Sequence, residues 1–154
     1  MIEITHEPLD VESITARVRR DTDGAVVTFM GTTRNQTGSR RVLKLEYEAY
    51  RPMADTKLAE IVDEMKERWS VDDVAISHRL GTLKIGEVSM VVAVASPHRK
   101  EAFAACMHSV DRVKQIAPIW KKEFFDDGEV WVGRQEDFRP LETAEPAPSD
   151  VRGG

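Results

Sequence analysis

Apolar and polar residues alternate from Met1 to Thr5, which predicts a short strand. Asp10 then stands as an N-cap before Val11, Ile14 and Val18, spaced for one helical face, and the turn Asp21-Thr22-Asp23-Gly24 ends that helix. The nearly continuous apolar run from Ala25 to Gly31 predicts a buried strand. An arginine-rich loop, TTRNQTGSRR, follows it. Leu43, Leu45, Tyr47 and Ala49 next alternate with Lys44, Glu46 and Glu48, the period of a half-buried strand. Pro52 is placed to open a helix in which Leu58, Ile61, Val62, Met65 and Trp69 recur at three- and four-residue steps.

Val74, Ile76, His78 and Leu80 alternate again, Gly81 and Gly86 bracket a connection, and Glu87 to Ser96 reads as a central strand rich in valine. Ser96 as N-cap and Pro97 at the first helical position predict a helix presenting Ala102, Phe103, Cys106, Val110 and Val113 on one face. It should run to about Ala117, since Pro118 disfavours helix at the residue before it. PIWKKEFF and EVWVG flank Asp126-Asp127-Gly128, a hairpin signal. These elements predict one α+β domain over residues 1–133 with a mixed, mainly antiparallel sheet. From Arg134 the composition turns to Glu, Ala, Pro and Ser, which predicts a mobile tail over 134–154.

A length of 154 residues suits one domain with a self-sufficient core. Lys and Arg number 22 against 27 Asp and Glu, a net charge of −5, so a uniformly basic nucleic-acid surface is excluded and any anion site must be local. Cys106 is the only cysteine and no Cys/His cluster has zinc-like spacing, so no disulfide, metal or diffusible cofactor is expected and a reducing, cytoplasmic setting fits. The longest apolar stretch, Val88 to Ala95, falls far short of the roughly 20 residues that span a bilayer, so no membrane role is expected.

Three groups of residues have chemistry to offer. Ser96-Pro97-His98-Arg99 sits at a helix start, where free backbone donors and the helix dipole attract an anion. Arg34, with Arg40 and Arg41 nearby, lies just beyond a strand end, and a guanidinium there binds phosphate or carboxylate bidentately. Lys114, Lys121 and Lys122 crowd within nine residues around Pro118, and alternation puts Lys121 with Glu123 on one strand face and Lys122 with Trp120 and Phe124 on the other. By contrast, His78 reads as a core histidine, Cys106 as a small core residue and His108 as a solvated one.

Several segments together resemble one family, the large catalytic subunit of molybdopterin synthase. They are Gly31-Thr-Thr-Arg34, Leu45-Glu-Tyr-Glu-Ala-Tyr50, Arg68-Trp69, His78-Arg79, Ser96-Pro-His-Arg99, Lys114, Pro118-Ile-Trp-Lys-Lys-Glu123 and Trp131-Val132. The resemblance implies an α/β-hammerhead-like fold and a sulfurtransferase. Such an enzyme converts cyclic pyranopterin monophosphate into molybdopterin, taking each dithiolene sulfur from the C-terminal thiocarboxylate of a small ubiquitin-like carrier subunit. It also implies Lys114 and Lys121 as catalytic residues and Thr32, Thr33, Arg34, His98, Arg99, Lys122 and Glu123 as substrate-binding ones. Whether Lys114 serves as cation, base or nucleophile stays open. A non-catalytic adaptor for the tail of a ubiquitin-like protein is the alternative.

His98 and Lys114 are sixteen residues apart, about 24 Å along a straight helix at 1.5 Å per residue. No pterin phosphate spans that distance, so the helix-start anion site and the lysines are expected to meet across a two-fold dimer. The resemblance likewise implies a large-subunit dimer with a carrier at each end, a heterotetramer. The closing residues Val151-Arg-Gly-Gly154 look like a carrier's own C-terminal glycines. They are expected to be either an accidental tail or an occupant of the carrier's channel.

Overall fold

A computed structural model of the chain describes residues 1–132. The elements, in order, are β1 (Ile2–Thr5), α1 (Val11–Val18), β2 (Ala25–Thr32), β3 (Gln36–Thr37), β4 (Arg40–Ala49) and α2 (Met53–Arg68). They continue with β5 (Val74–Arg79), β6 (Gly81–Lys84), β7 (Val88–Ser96), α3 (Arg99–Ile116), β8 (Ile119–Phe125) and β9 (Gly128–Val132). The expected tail and the Arg-Gly-Gly terminus lie outside the described residues.

One sheet has the order β1-β5-β7-β2, with β1 parallel to β5 and the other pairs antiparallel. Strand periodicity sends alternate residues of β5 and β7 to opposite faces. Ile76, Val92 and Val94 pack under Leu58, Ile61 and Met65 of α2 and Ala102 and Cys106 of α3. Ala75, Val91, Ala93 and Ala95 pack against Ile14 and Val18 of α1. With helices on both faces, β7 is buried almost throughout, as its unbroken valine run predicts. A second, antiparallel sheet runs β3-β4-β8-β9, with β6 also paired to β4. The expected α+β class with mainly antiparallel pairing describes both sheets.

Several local expectations are corrected. The Ala25 strand is half-buried rather than buried, because β2 lies at the edge of its sheet. A register shift between Val42 and Lys44 turns Val42 and Leu45 inward and leaves Leu43 47% exposed, breaking the predicted alternation. The arginine-rich loop contains the β3–β4 hairpin, turned at Gly38 with φ +64°. The Gly81–Gly86 connection is largely strand β6.

Ser96 does not cap α3. It ends β7, its hydroxyl donating to the Ser70 carbonyl at 2.7 Å and accepting from the His98 N–H at 3.3 Å. The N-cap is His98, two residues later than predicted. Phe103 is not on the buried face but 62% exposed, because α3 turns Ala102, Ala105, Cys106, Ser109 and Val113 inward instead.

Gly24 makes a close approach that holds the chain leading into α3. Its N–H donates to the Ser96 carbonyl at 3.1 Å, and a Cβ built on it would stand 2.4 Å from the Pro97 carbonyl oxygen. Gly24→Ala is therefore expected to push the Pro97–His98 segment outward and to cost about 1–3 kcal/mol of stability in urea unfolding, since backbone must move to admit the methyl. An unchanged midpoint would show that the approach is slack.

Candidate active site

The end of β2, the C-terminus of α3 and the start of β8 enclose a cavity of about 910 Å³. Thr32, Arg34, Lys114 and Lys121 all line it. Three separate local rules bring them there. A register shift at Gly31/Thr32 re-aims the end of β2 as the chain leaves the sheet. Lys114 falls in the last turn of α3, where the helix dipole favours a cation. Pro118 then breaks the helix, and β8 begins at once, with Lys121 its third residue.

Within β8 the predicted alternation is observed. The Lys121 ammonium lies 3.3 Å from a carboxylate oxygen of Glu123, which is only 6% exposed. Lys122 faces the other way, 3.2 Å from Glu129 and 4.8 Å above the Trp131 ring. The lysines therefore do not crowd as a trio. Lys121 is also no edge-strand lysine, because β8 runs between β4 and β9.

Thr33 is buried, and its hydroxyl and N–H both donate to the Glu87 carbonyl, at 3.1 and 3.0 Å. It anchors the loop that carries Arg34 and does not line the cavity. His98 and Arg99 are exposed at the opposite end of α3, outside this chain's cavity.

The cavity floor contains residues that sequence reasoning left out of the site, among them Tyr47, Met90 and Gln115. His78 is buried as expected, and desolvation pulls its imidazole down to about 4. It too lines the cavity. Cys106 is buried and its thiol is pushed up to about 11 by desolvation, in keeping with a core residue.

His108 is corrected from solvated to half-buried. Its Nε2 lies 2.8 Å from Glu64, whose carboxylate also takes two hydrogen bonds from Arg112, at 2.6 and 2.8 Å. Those bonds, Arg112 foremost, hold the Glu64 carboxyl down at about 2. Among the described residues no group of three or more His, Cys, Asp or Glu is placed to hold a metal ion. No helix among them is long and apolar enough to cross a membrane.

Comparison with known proteins matches residues 4–116 to the family model described as MoaE protein. The molybdopterin synthase catalytic subunit of Bacillus subtilis (strain 168) is 50% identical over 133 residues, covering 86% of this chain and 85% of that protein. The crystal structure of molybdopterin synthase from Staphylococcus aureus superposes with a TM-score of 0.81 at 44% identity, covering 86% of this chain and 96% of that one. A complex of subunits 1 and 2 of molybdopterin-converting factor from Helicobacter pylori 26695 shares the fold, with a TM-score of 0.72 at 21% identity over 95% of this chain and 98% of that one. With residues 4–116 spanned by the family model and 50% identity over 133 residues to one relative, the chain belongs to the MoaE family.

Proposed function

We propose that this chain is the catalytic subunit of a molybdopterin synthase and acts as a sulfurtransferase. In this reading it moves sulfur from the C-terminal thiocarboxylate of a small ubiquitin-like carrier to cyclic pyranopterin monophosphate. The observation that carries the reading is the convergence of Arg34, Lys114 and Lys121 on one cavity of about 910 Å³, a volume that suits a small-molecule ligand. Both reactants are anions, and the cavity offers cations from the loop after β2, the end of α3 and the start of β8. Lys121 is held in place by Glu123. Lys114 makes no ion pair with a described residue and takes the thiocarboxylate as its counter-ion, stabilising charge that develops on the acyl oxygen. An adaptor that only grips a peptide tail has no use for such a cavity.

The phosphate cradle of His98 and Arg99 comes from a second copy. α3 carries Arg99, Phe103, Met107, Val110 and Lys114 at three- and four-residue steps, one stripe along the helix, and Phe103 and Met107 are 62% and 66% exposed. Pairing two such stripes antiparallel, with the two-fold axis midway between His98 and Lys114, buries the apolar middle and sets each cradle against the other chain's lysines. One carrier at each end completes a heterotetramer.

Mixing experiments test the shared site. His98→Ala and Lys114→Ala chains, each inactive alone in a reconstitution with thiocarboxylated carrier and cyclic precursor, are expected to regain part of the dithiolene-forming activity when mixed and exchanged. Recovery follows because some mixed dimers hold one intact site. No recovery after verified exchange would refute the shared arrangement.

A further inference from the structure

His78 combines deep burial with a ring nitrogen that no described residue partners. His78 sits near the end of β5, on the same sheet face as Val74 and Ile76, and it is only 6% exposed. Its Nδ1 lies 2.9 Å from the Arg79 carbonyl oxygen. A carbonyl only accepts, so Nδ1 carries the proton and Nε2 presents a lone pair. Tyr47 meets the imidazole edge to face, with ring centroids 5.0 Å apart at 71°, which fixes its plane.

Nε2 makes no hydrogen bond to any described residue, and His78 lines the cavity. Met90, its cross-strand partner on β7, lines the same cavity, as do the apolar Val113 and Ile119. An acceptor among such neighbours costs free energy when empty and rewards a ligand that donates to it. Lys121 is the cross-strand partner of Tyr47, so this acceptor stands one side chain away from the lysine that Glu123 holds.

We propose that His78 is a substrate-binding residue that selects the pterin ring, its Nε2 accepting a hydrogen bond from a ring N–H or amino group. This rests on the molybdopterin synthase reading above and assigns the end of the substrate that the phosphate cradle does not touch. Pterins carry such donors along one edge, whereas the phosphate and the thiocarboxylate have none. A neutral imidazole suits the task, since protonation would replace the acceptor with a donor. Burial keeps the ring neutral at the pH where biosynthesis runs.

Two variants separate binding from folding. In His78→Asn the amide still reaches the Arg79 carbonyl but its oxygen falls short of the position of Nε2, whereas in His78→Gln the side-chain oxygen reaches that position. In the reconstituted enzyme the Asn variant is expected to raise KM for cyclic pyranopterin monophosphate about fivefold to tenfold with kcat within about twofold, and the Gln variant to restore KM to within about threefold. Affinity for the carrier should not change. An unchanged KM in the Asn variant, or equal losses in both variants tracking a lowered Tm, would overturn the proposal.

If neither variant folds, the wild-type chain decides the matter. The 15N resonance of His78 Nε2 should move on adding cyclic pyranopterin monophosphate and stay put on adding inorganic phosphate. No movement with the pterin overturns the assignment. Failure of the wild-type enzyme to form any dithiolene would instead refute the functional reading, so the two failures are distinguishable.

Discussion

Lys114→Ala is expected to lower dithiolene formation by at least about 100-fold, the scale on which removal of one preorganised donor to a developing oxyanion acts. The fold should tolerate the change. Lys114 is exposed, lies in the last turn of α3 and makes no ion pair with a described residue, so Tm should fall by no more than the loss of a favourable dipole contact allows. Single-turnover assays with thiocarboxylated carrier and cyclic precursor measure the effect. Turnover within about threefold of wild type would remove Lys114 from the chemistry, because even a modest electrostatic role is worth more than that. Lys121→Ala should be nearly as damaging, but by a second route as well: it strips the buried Glu123 carboxylate of the ammonium at 3.3 Å. Its defect should therefore combine lost activity with lost stability, whereas that of Lys114→Ala should not.

The largest stability effect is expected from the clamp between the two long helices. Arg112 of α3 grips both oxygens of Glu64 in α2, and its side chain is only 10% exposed. Arg112→Ala removes the bidentate partner and leaves the carboxylate with His108 alone, at an expected cost of about 3 kcal/mol. The same pair shapes the acid limb of stability. Glu64 keeps its charge down to about 2 in the folded chain but takes up a proton near its ordinary 4.5 when unfolded. Its stabilisation is thus present above about 4.5 and lost as pH falls toward 2.

His78 acts in the same direction over a higher window. The unfolded imidazole gains a proton near 6.5, while the folded one resists until about 4, so stability declines as pH falls between those values. Urea unfolding across pH should therefore show a continuous decline below about 6.5, and Arg112→Ala should flatten only its lower part. If the variant instead lost its slope between 6.5 and 4.5, Glu64 would not be the lower titrating group.

How far these features could be read along the chain depended on how local their causes are. The amphipathic spacing of Leu58, Ile61 and Met65 gave α2 its buried face, and the valine run of β7 gave the central strand, because helix period and apolar continuity are properties of neighbours in sequence. The hairpin around Asp126-Asp127 was equally visible. What failed was set by partners far away. Leu43 turned outward because β8 imposes a register shift on β4, and Phe103 turned outward because α3 settled on β7 and β2 through its smaller residues.

The site divides the same way. Arg34, Lys114 and Lys121 stood out as charges at element ends, positions where solvent and helix dipoles leave a cation free to act. Tyr47, Met90 and the imidazole of His78 did not, since three strands from two sheets must first come together before they share a floor. The setting of His108 is hidden for a similar reason: its companion Glu64 belongs to another helix, and the geometry of α3 alone turns the imidazole toward water.

The eighteen residues of α3 have a further consequence. If each chain lends its cradle to the other, the helix is a spacer whose span must equal the separation of the two centres it serves. Lengthening it by one turn would carry each guanidinium about 5 Å past the place where a phosphate is held, even if the chain repacked its own core around the longer helix. The length of this helix is therefore constrained by the partner's site as well as by its own core.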